Sequence, residues 1–137
     1  MMSWVIDSSV AFSWVHASQA TAKTDQLLDE VEAGAVFVIP LLWFAEVANS
    51  LLALQRRRKL TNEQRKLALQ TLSGLGLTID DEPAKTTFTT TSDLAEKHGL
   101  TVYDATYLEV ALRRGLALAS RDASLLNVAK KCGVKVI

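Results

Sequence analysis

The sequence predicts an α/β domain with a mostly parallel central sheet of about five strands and helices on both faces. Two observations carry this. Five short apolar runs recur along the chain, most of them β-branched or continuously apolar, as strands covered on both faces are. Stretches with helical spacing lie between them, and such alternation marks a parallel sheet with crossover helices.

The elements follow in order. Trp4-Val5-Ile6 is the first strand and runs into Asp7-Ser8-Ser9. Thr21–Ala33 places Ala22, Leu27, Leu28 and Val31 at helical spacing, and Gly34 stops it. Val36–Ile39 is the second strand, and the Leu- and Ala-rich helix Leu41–Lys59 follows Pro40. Thr61, with Gln64 three residues on, has the order of a capping box and opens a helix to Gly74. Leu77-Thr78-Ile79 is the third strand. Pro83–His98 is a poorer helix, loaded with Thr86, Thr87, Thr89, Thr90 and Thr91 and closed by Gly99. A better helix, Val102–Arg114, is closed by Gly115, and Leu116–Ala119 is the weakest strand by propensity. The last helix, Asp122–Lys131, is closed by Gly133 and followed by the fifth run, Val134–Ile137. With no internal repeat, low-complexity tract or linker, residues 1–137 are expected to form a single domain.

Composition bounds the function loosely. The chain has 137 residues, 49% of them hydrophobic and 22% charged, enough for a real core and too apolar for disorder. Fifteen basic and fifteen acidic residues cancel, so no overall field draws the protein to nucleic acid, although a local basic patch remains compatible. Cys132 is the only cysteine, which excludes an internal disulfide and a cysteine zinc site and fits a reducing, cytoplasmic setting. No apolar run approaches the ~20 residues that span a bilayer, and no signal peptide is visible at the N-terminus.

In open α/β sheets, ligands bind outside the carboxyl ends of the strands, so acids just after strands or at helix starts carry the most information. Asp7 follows the first strand, Asp122 follows the fourth in Ser120-Arg121-Asp122, and Asp104 opens a helix. Glu46 lies in the otherwise apolar Leu41–Ala48, with Asn49 three residues on and therefore on the same helix face. Each aspartate has a plain structural alternative, because aspartate is a preferred helix N-cap. Glu46 must reach solvent or be paired, because burying an unpaired charge is costly. Asp80-Asp81-Glu82 before Pro83 reads as a helix start with dipole-matched charge, and Asp25, Asp29, Glu30 and Glu32 as a solvated helix face. His16 and His98 lack a partner motif. Arg56-Arg57-Arg58-Lys59 either contacts phosphates or complements a helix dipole.

Glycine-rich dinucleotide and P-loop motifs are absent, as is a Gly-x-Ser-x-Gly elbow. What remains is a set of carboxylates without a cysteine, histidine or lysine nucleophile, suited to a hard cation such as Mg²⁺ or Mn²⁺.

Four blocks, in order and at matching spacing, resemble the motifs of PIN-domain proteins. They are Asp7-Ser8-Ser9, Glu46-Val47-Ala48-Asn49, Tyr103-Asp104-Ala105-Thr106-Tyr107 and Ser120-Arg121-Asp122. The stretch from Leu94–Leu100 to Gly133–Val136 is similar to VapC-type toxins of toxin–antitoxin pairs, and the resemblance runs nearly end to end. It implies a three-layer α/β/α PIN-like fold in which Asp7, Glu46, Asp104 and Asp122 converge on one pocket binding Mg²⁺ or Mn²⁺. It further implies accessory polar roles for Ser9, Asn49 and Ser120, the last standing where many relatives carry threonine. Activity as a ribonuclease, inhibition by a VapB-type antitoxin and homodimerisation also come from the resemblance. The apolar excess of Trp43, Phe44, Leu51, Leu52 and Leu54 on one helix is compatible with a dimer face. A receiver domain would want an acid pair after the first strand, and a haloacid-dehalogenase phosphatase an acid where Ser9 stands. A PIN-like fold that only binds RNA or protein is the remaining alternative.

Overall fold

The computed structural model describes residues 3–137. Its sheet has four parallel strands in the order β3-β2-β1-β4, formed by β1 (Trp4–Ile6), β2 (Phe37–Pro40), β3 (Thr78–Asp80) and β4 (Ala117–Ala119). Central β1 pairs Val5 with Val38 on one side and with Leu118 on the other. Val5, Ile6, Ile39 and Leu118 are fully buried, as the continuous apolar runs require. Two expectations need correction at the edges. β3 is an edge strand that leaves Thr78 and Ile79 exposed rather than covered on both faces. The fifth run adds only a bridge between Leu118 and Val136, backed by hydrogen bonds from Leu118 N to Lys135 O and from Ile137 N to Leu118 O. The three-residue β4 offers no longer ladder.

The connections set the layers. From β1 to β2 the chain passes through α1 (Ser8–Val15) and α2 (Ala22–Glu32), and from β2 to β3 through α3 (Leu42–Arg56) and α4 (Asn62–Ser73). Both crossovers move the same way along the sheet, so right-handedness puts these helices on one face. After β3 the chain returns across β2 and β1 to β4. It does so through α5 (Ala84–Thr86), a π-helical turn (Thr87–Thr91), α6 (Ser92–His98) and α7 (Val102–Arg114), and α8 (Ala123–Lys131) follows β4. The same rule puts this return on the other face, where α7 packs on β1, β2 and β4 through buried Ala105, Tyr107, Leu108, Val110 and Ala111. The order reverses at β1, whose neighbours β2 and β4 are reached in opposite directions. The crevice above the carboxyl ends of β1 and β4 is therefore the switch point at which such sheets bind ligands.

Local sequence explains most helix ends. Thr61 and Gln64 form the expected capping box, with Gln64 N donating to Thr61 Oγ1 at 3.1 Å and Thr61 N to Gln64 Oε1 at 2.9 Å. Helix α3 stops at Arg56, short of the expected Lys59, because the chain turns at Arg57 and Arg58 takes φ 59°. The threonine-rich segment is helical but carries the π turn. β-Branched crowding and hydroxyl back-bonding, as from Thr89 Oγ1 to Lys85 O, loosen the regular ladder there. Helix α1 is the element that hydrophobic periodicity misses, since Val10, Ala11, Phe12, Trp14 and Val15 spread apolar side chains around it without a stripe. The apolar excess on α3 is largely core: Trp43, Leu51 and Leu54 are buried, and Phe44 alone among the expected face residues is exposed.

Candidate active site

The strand-end acids are held by the elements that end and begin around them. Asp7 leaves β1 and caps α1, with Oδ1 accepting from Ser9 N at 3.1 Å, Val10 N at 3.4 Å and Ser9 Oγ at 2.5 Å. Its other oxygen accepts from Ser120 Oγ at 2.5 Å, which ties the end of β1 to the end of β4. Ser120 Oγ also accepts from Asp122 N at 2.9 Å, and Ser9 Oγ accepts from Arg121 N at 2.9 Å. The two serines expected as accessory groups thus pin Asp7 and the Arg121-Asp122 turn to each other.

Asp122 caps α8 by accepting from Ser124 N and Leu125 N. Here and at Asp7 the structural alternative holds alongside any chemical role. It fails at Asp104. Thr101 is the cap of α7, its Oγ1 accepting from Asp104 N at 3.1 Å, so the Asp104 carboxylate does not cap the helix. Glu46 sits on α3, half-buried, and its Oε1 accepts from Tyr107 OH at 2.5 Å and Ser8 Oγ at 3.4 Å.

Electrostatics show that these four acids share one field. The Asp104 carboxyl is pushed above its usual range by burial and then by the negative charges of Asp122, Asp7 and Glu46. Burial raises Asp7 as well, against the pull of its bonds from Ser120, Ser9 and Val10. The Tyr107 hydroxyl is driven upward by burial and by the neighbouring Glu46 charge, so it stays a donor. None of the four acids has an ion-pair partner among the described residues: every salt bridge found there lies elsewhere. No three histidine, cysteine, aspartate or glutamate side chains among the described residues stand close enough to form a metal-binding group as they are. The donor set itself fits a hard divalent cation, being all oxygen and anionic.

Asn49, exposed one turn beyond Glu46, lines a groove with Ser8, Ser9, Phe12, Gln19 and Arg57. Arg121 borders the same groove. Of the basic run, only Arg57 faces it; Lys59 lines a different hollow beside Trp14 and Leu60, and Arg56 and Arg58 are exposed outside both. Sequence reasoning missed Tyr107, Ser8, Thr101 and Arg121. Tyr107 was detectable, since it stands three residues after Asp104 on the same face of α7.

Asp80 needs a corrected reading. It is no dipole-matched helix-start charge but a buried carboxylate at the end of β3. Arg113 grips it with both terminal nitrogens, at 3.1 and 2.6 Å, and Arg114 Nε adds a contact at 2.6 Å. Arg113 also pairs with Glu82 and with Glu109. Burial alone would raise the Asp80 carboxyl, but the two guanidinia hold it below the usual carboxylate range. His16 packs its ring against Phe12, and His98 Nε2 lies 3.6 Å from Cys132 Sγ, so neither histidine joins the acids.

Comparison with known proteins agrees with the architecture. No curated protein matches the chain in sequence. Among solved structures, PAE2754 from Pyrobaculum aerophilum is 23% identical with a TM-score of 0.75, covering 98% of this chain and 90% of that one. FitAcB from Neisseria gonorrhoeae is 19% identical with a TM-score of 0.66, covering 98% and 96%. VapBC2 from Rickettsia felis, bound to a DNA fragment from their promoter, is 16% identical with a TM-score of 0.69, covering 99% and 98%. These likenesses speak for the fold. The sequence profile of the PIN domain spans residues 4–131, nearly the whole chain, which therefore belongs to the PIN domain family.

Proposed function

We propose that the chain works as one PIN domain, a Mg²⁺- or Mn²⁺-dependent ribonuclease and the toxin of a VapBC-type toxin–antitoxin pair. The observation that carries this reading is the set of Asp7, Glu46, Asp104 and Asp122 at the switch point, where the charges of the other three act on Asp104 and no ion-pair partner stands among the described residues. Carboxylates so arranged await a cation. Asp7, Asp104 and Asp122 would hold it, directly or through water. Once bound, the cation would supply positive charge to the scissile phosphodiester and acidity to the attacking water. The chain's own residues do the positioning. Ser9 and Ser120 lock the Asp7 carboxylate in one orientation, and Tyr107 and Ser8 fix Glu46 so that its remaining oxygen can orient the water.

RNA as the substrate, the antitoxin partner and the homodimer rest on the resemblance to VapC-type toxins, and the cytoplasmic setting on the lone Cys132 as well. VapBC2 is among the structures similar to this chain, in accord with that resemblance. An antitoxin arginine reaching Asp7 and Asp104 would give the cluster the guanidinium it lacks. Purified protein should cleave RNA with Mg²⁺ or Mn²⁺, stop in EDTA and recover on adding metal. Full activity after thorough metal removal would contradict the reading.

A further inference from the structure

Beside the acids runs a groove of opposite character. Ser8, Ser9, Phe12, Gln19, Asn49, Arg57 and Arg121 are among its lining residues, and no acid lines it. It is continuous with the acid site, because Ser8 donates to Glu46 and Ser9 to Asp7. Its two guanidinia make no ion pair among the described residues. Arg121 is held by neutral acceptors alone: its Nη1 donates to Gln19 Oε1 at 2.7 Å and to Ser13 Oγ at 3.3 Å. Its backbone N–H is fixed as well, on Ser9 Oγ. A guanidinium ordered this way keeps its full charge and loses little freedom on meeting an anion. In a protein of zero net charge, a local pair of cations beside four carboxylates separates the phosphates to be gripped from the phosphate to be cut.

The geometry points to this groove as the track of single-stranded RNA, with Arg121 and Arg57 on the phosphates flanking the cleaved one and Phe12 against an unpaired base. The inference rests on the nuclease reading and deepens it by naming the residues that position substrate and the form of RNA they accept. Phe12 packs on the core and edge-on against His16, and the surface it leaves in the groove favours a base with a free face, which single strands present and duplexes hide.

Binding separates this role from chemistry. On an Asp104→Asn background, fluorescence anisotropy with a labelled single-stranded oligoribonucleotide should show R121Q and R57Q each weakening affinity about tenfold and lowering the salt slope by about one. Lys66→Gln, an equal charge change on exposed α4, should leave both unchanged. R121K should recover the salt slope and part of the affinity. Phe12→Leu, which keeps the packing, should weaken the single strand about tenfold and leave an RNA duplex unaffected. Wild-type cleavage together with parental affinity and salt slope in R121Q and R57Q would overturn the groove while leaving the nuclease reading intact. Wild-type protein that neither binds nor cleaves RNA with added metal would overturn both.

Discussion

Two groups of carboxylates stand at the carboxyl ends of one sheet, and they solve the same electrostatic problem in opposite ways. At edge strand β3, Asp80, Glu82 and Glu109 surround Arg113, with Arg114 completing the contact to Asp80. The protein neutralises that cluster from within. At central strand β1, burial and then the charges of Asp122, Asp7 and Glu46 raise the Asp104 carboxyl, and among the described residues only hydroxyls, backbone amides and a phenol attend the four acids. The first cluster is a structural clamp joining β3 to α7. The second has no ion-pair partner among the described residues, and in the proposed reading an external cation supplies that charge. Acid count alone does not tell them apart; the nearby guanidinia do.

The sharpest way to break this contrast is to remove one charge from each cluster. Asp7→Asn, Asp104→Asn and Asp122→Asn should each lower RNA cleavage at least ~10²-fold, the scale of losing a catalytic electrostatic contact. Asparagine still caps helices, so α1 and α8 survive, and metal-free Asp104→Asn should melt at or above the wild-type temperature because repulsion is relieved. Asp80→Asn should do the reverse. Cleavage by the folded fraction stays near normal, while stability to urea falls by about 1–3 kcal/mol, below the full penalty for a broken buried pair because both arginines are partly solvated. An Asp80→Asn protein as stable as wild type would show that the clamp is ornamental.

A smaller effect is expected at Tyr107. Tyr107→Phe removes the donor that fixes Glu46 and should slow cleavage roughly tenfold, with metal affinity little changed, as for one hydrogen bond to a charged acceptor. Single-turnover rates alongside metal titrations would separate the two quantities.

Proton linkage gives the clusters opposite signs, although each effect is modest. The Asp80 carboxyl lies below its ordinary value, so its stabilisation is complete above about pH 4 and is lost as pH falls through the lowered folded value. The Asp7 and Asp104 carboxyls are raised, so in metal-free protein their ionisation costs stability, a cost that disappears as pH falls through their folded values. Urea midpoints measured against pH should therefore show a shallower acid-side decline in Asp80→Asn and lose, in Asp104→Asn, the gain that protonation of Asp104 brings.

The same contrast shows what could be read from the sequence. Order and spacing of the four acid blocks point to the proposed site because strand ends and helix starts in a parallel sheet converge in space. Asp80 follows a strand just as Asp7 does, yet its partners are Arg113 and Arg114, more than thirty residues away in sequence, and no local pattern announces them. Tyr107 lay within reach of helical spacing, whereas Arg121 turning toward Gln19 depends on how two loops meet. Among the elements, the buried central strands were legible from their apolar runs. Helix α1 was not, because a short helix buried on several sides carries no stripe. The fifth strand was over-read, since an alternating apolar tail specifies a tendency to pair and not the length of edge available to it.

The central claim, that the β1 cluster is built for an external cation, is tested most directly by thermal melting of the whole chain against Mn²⁺. Binding to the folded state alone should raise the wild-type melting temperature by about 10 °C at a hundredfold excess over Kd. Asp80→Asn should show the same rise from a lower starting point, and Asp104→Asn little or none. A wild-type melting temperature indifferent to Mn²⁺ and Mg²⁺, or an equal rise in Asp104→Asn, would contradict the account.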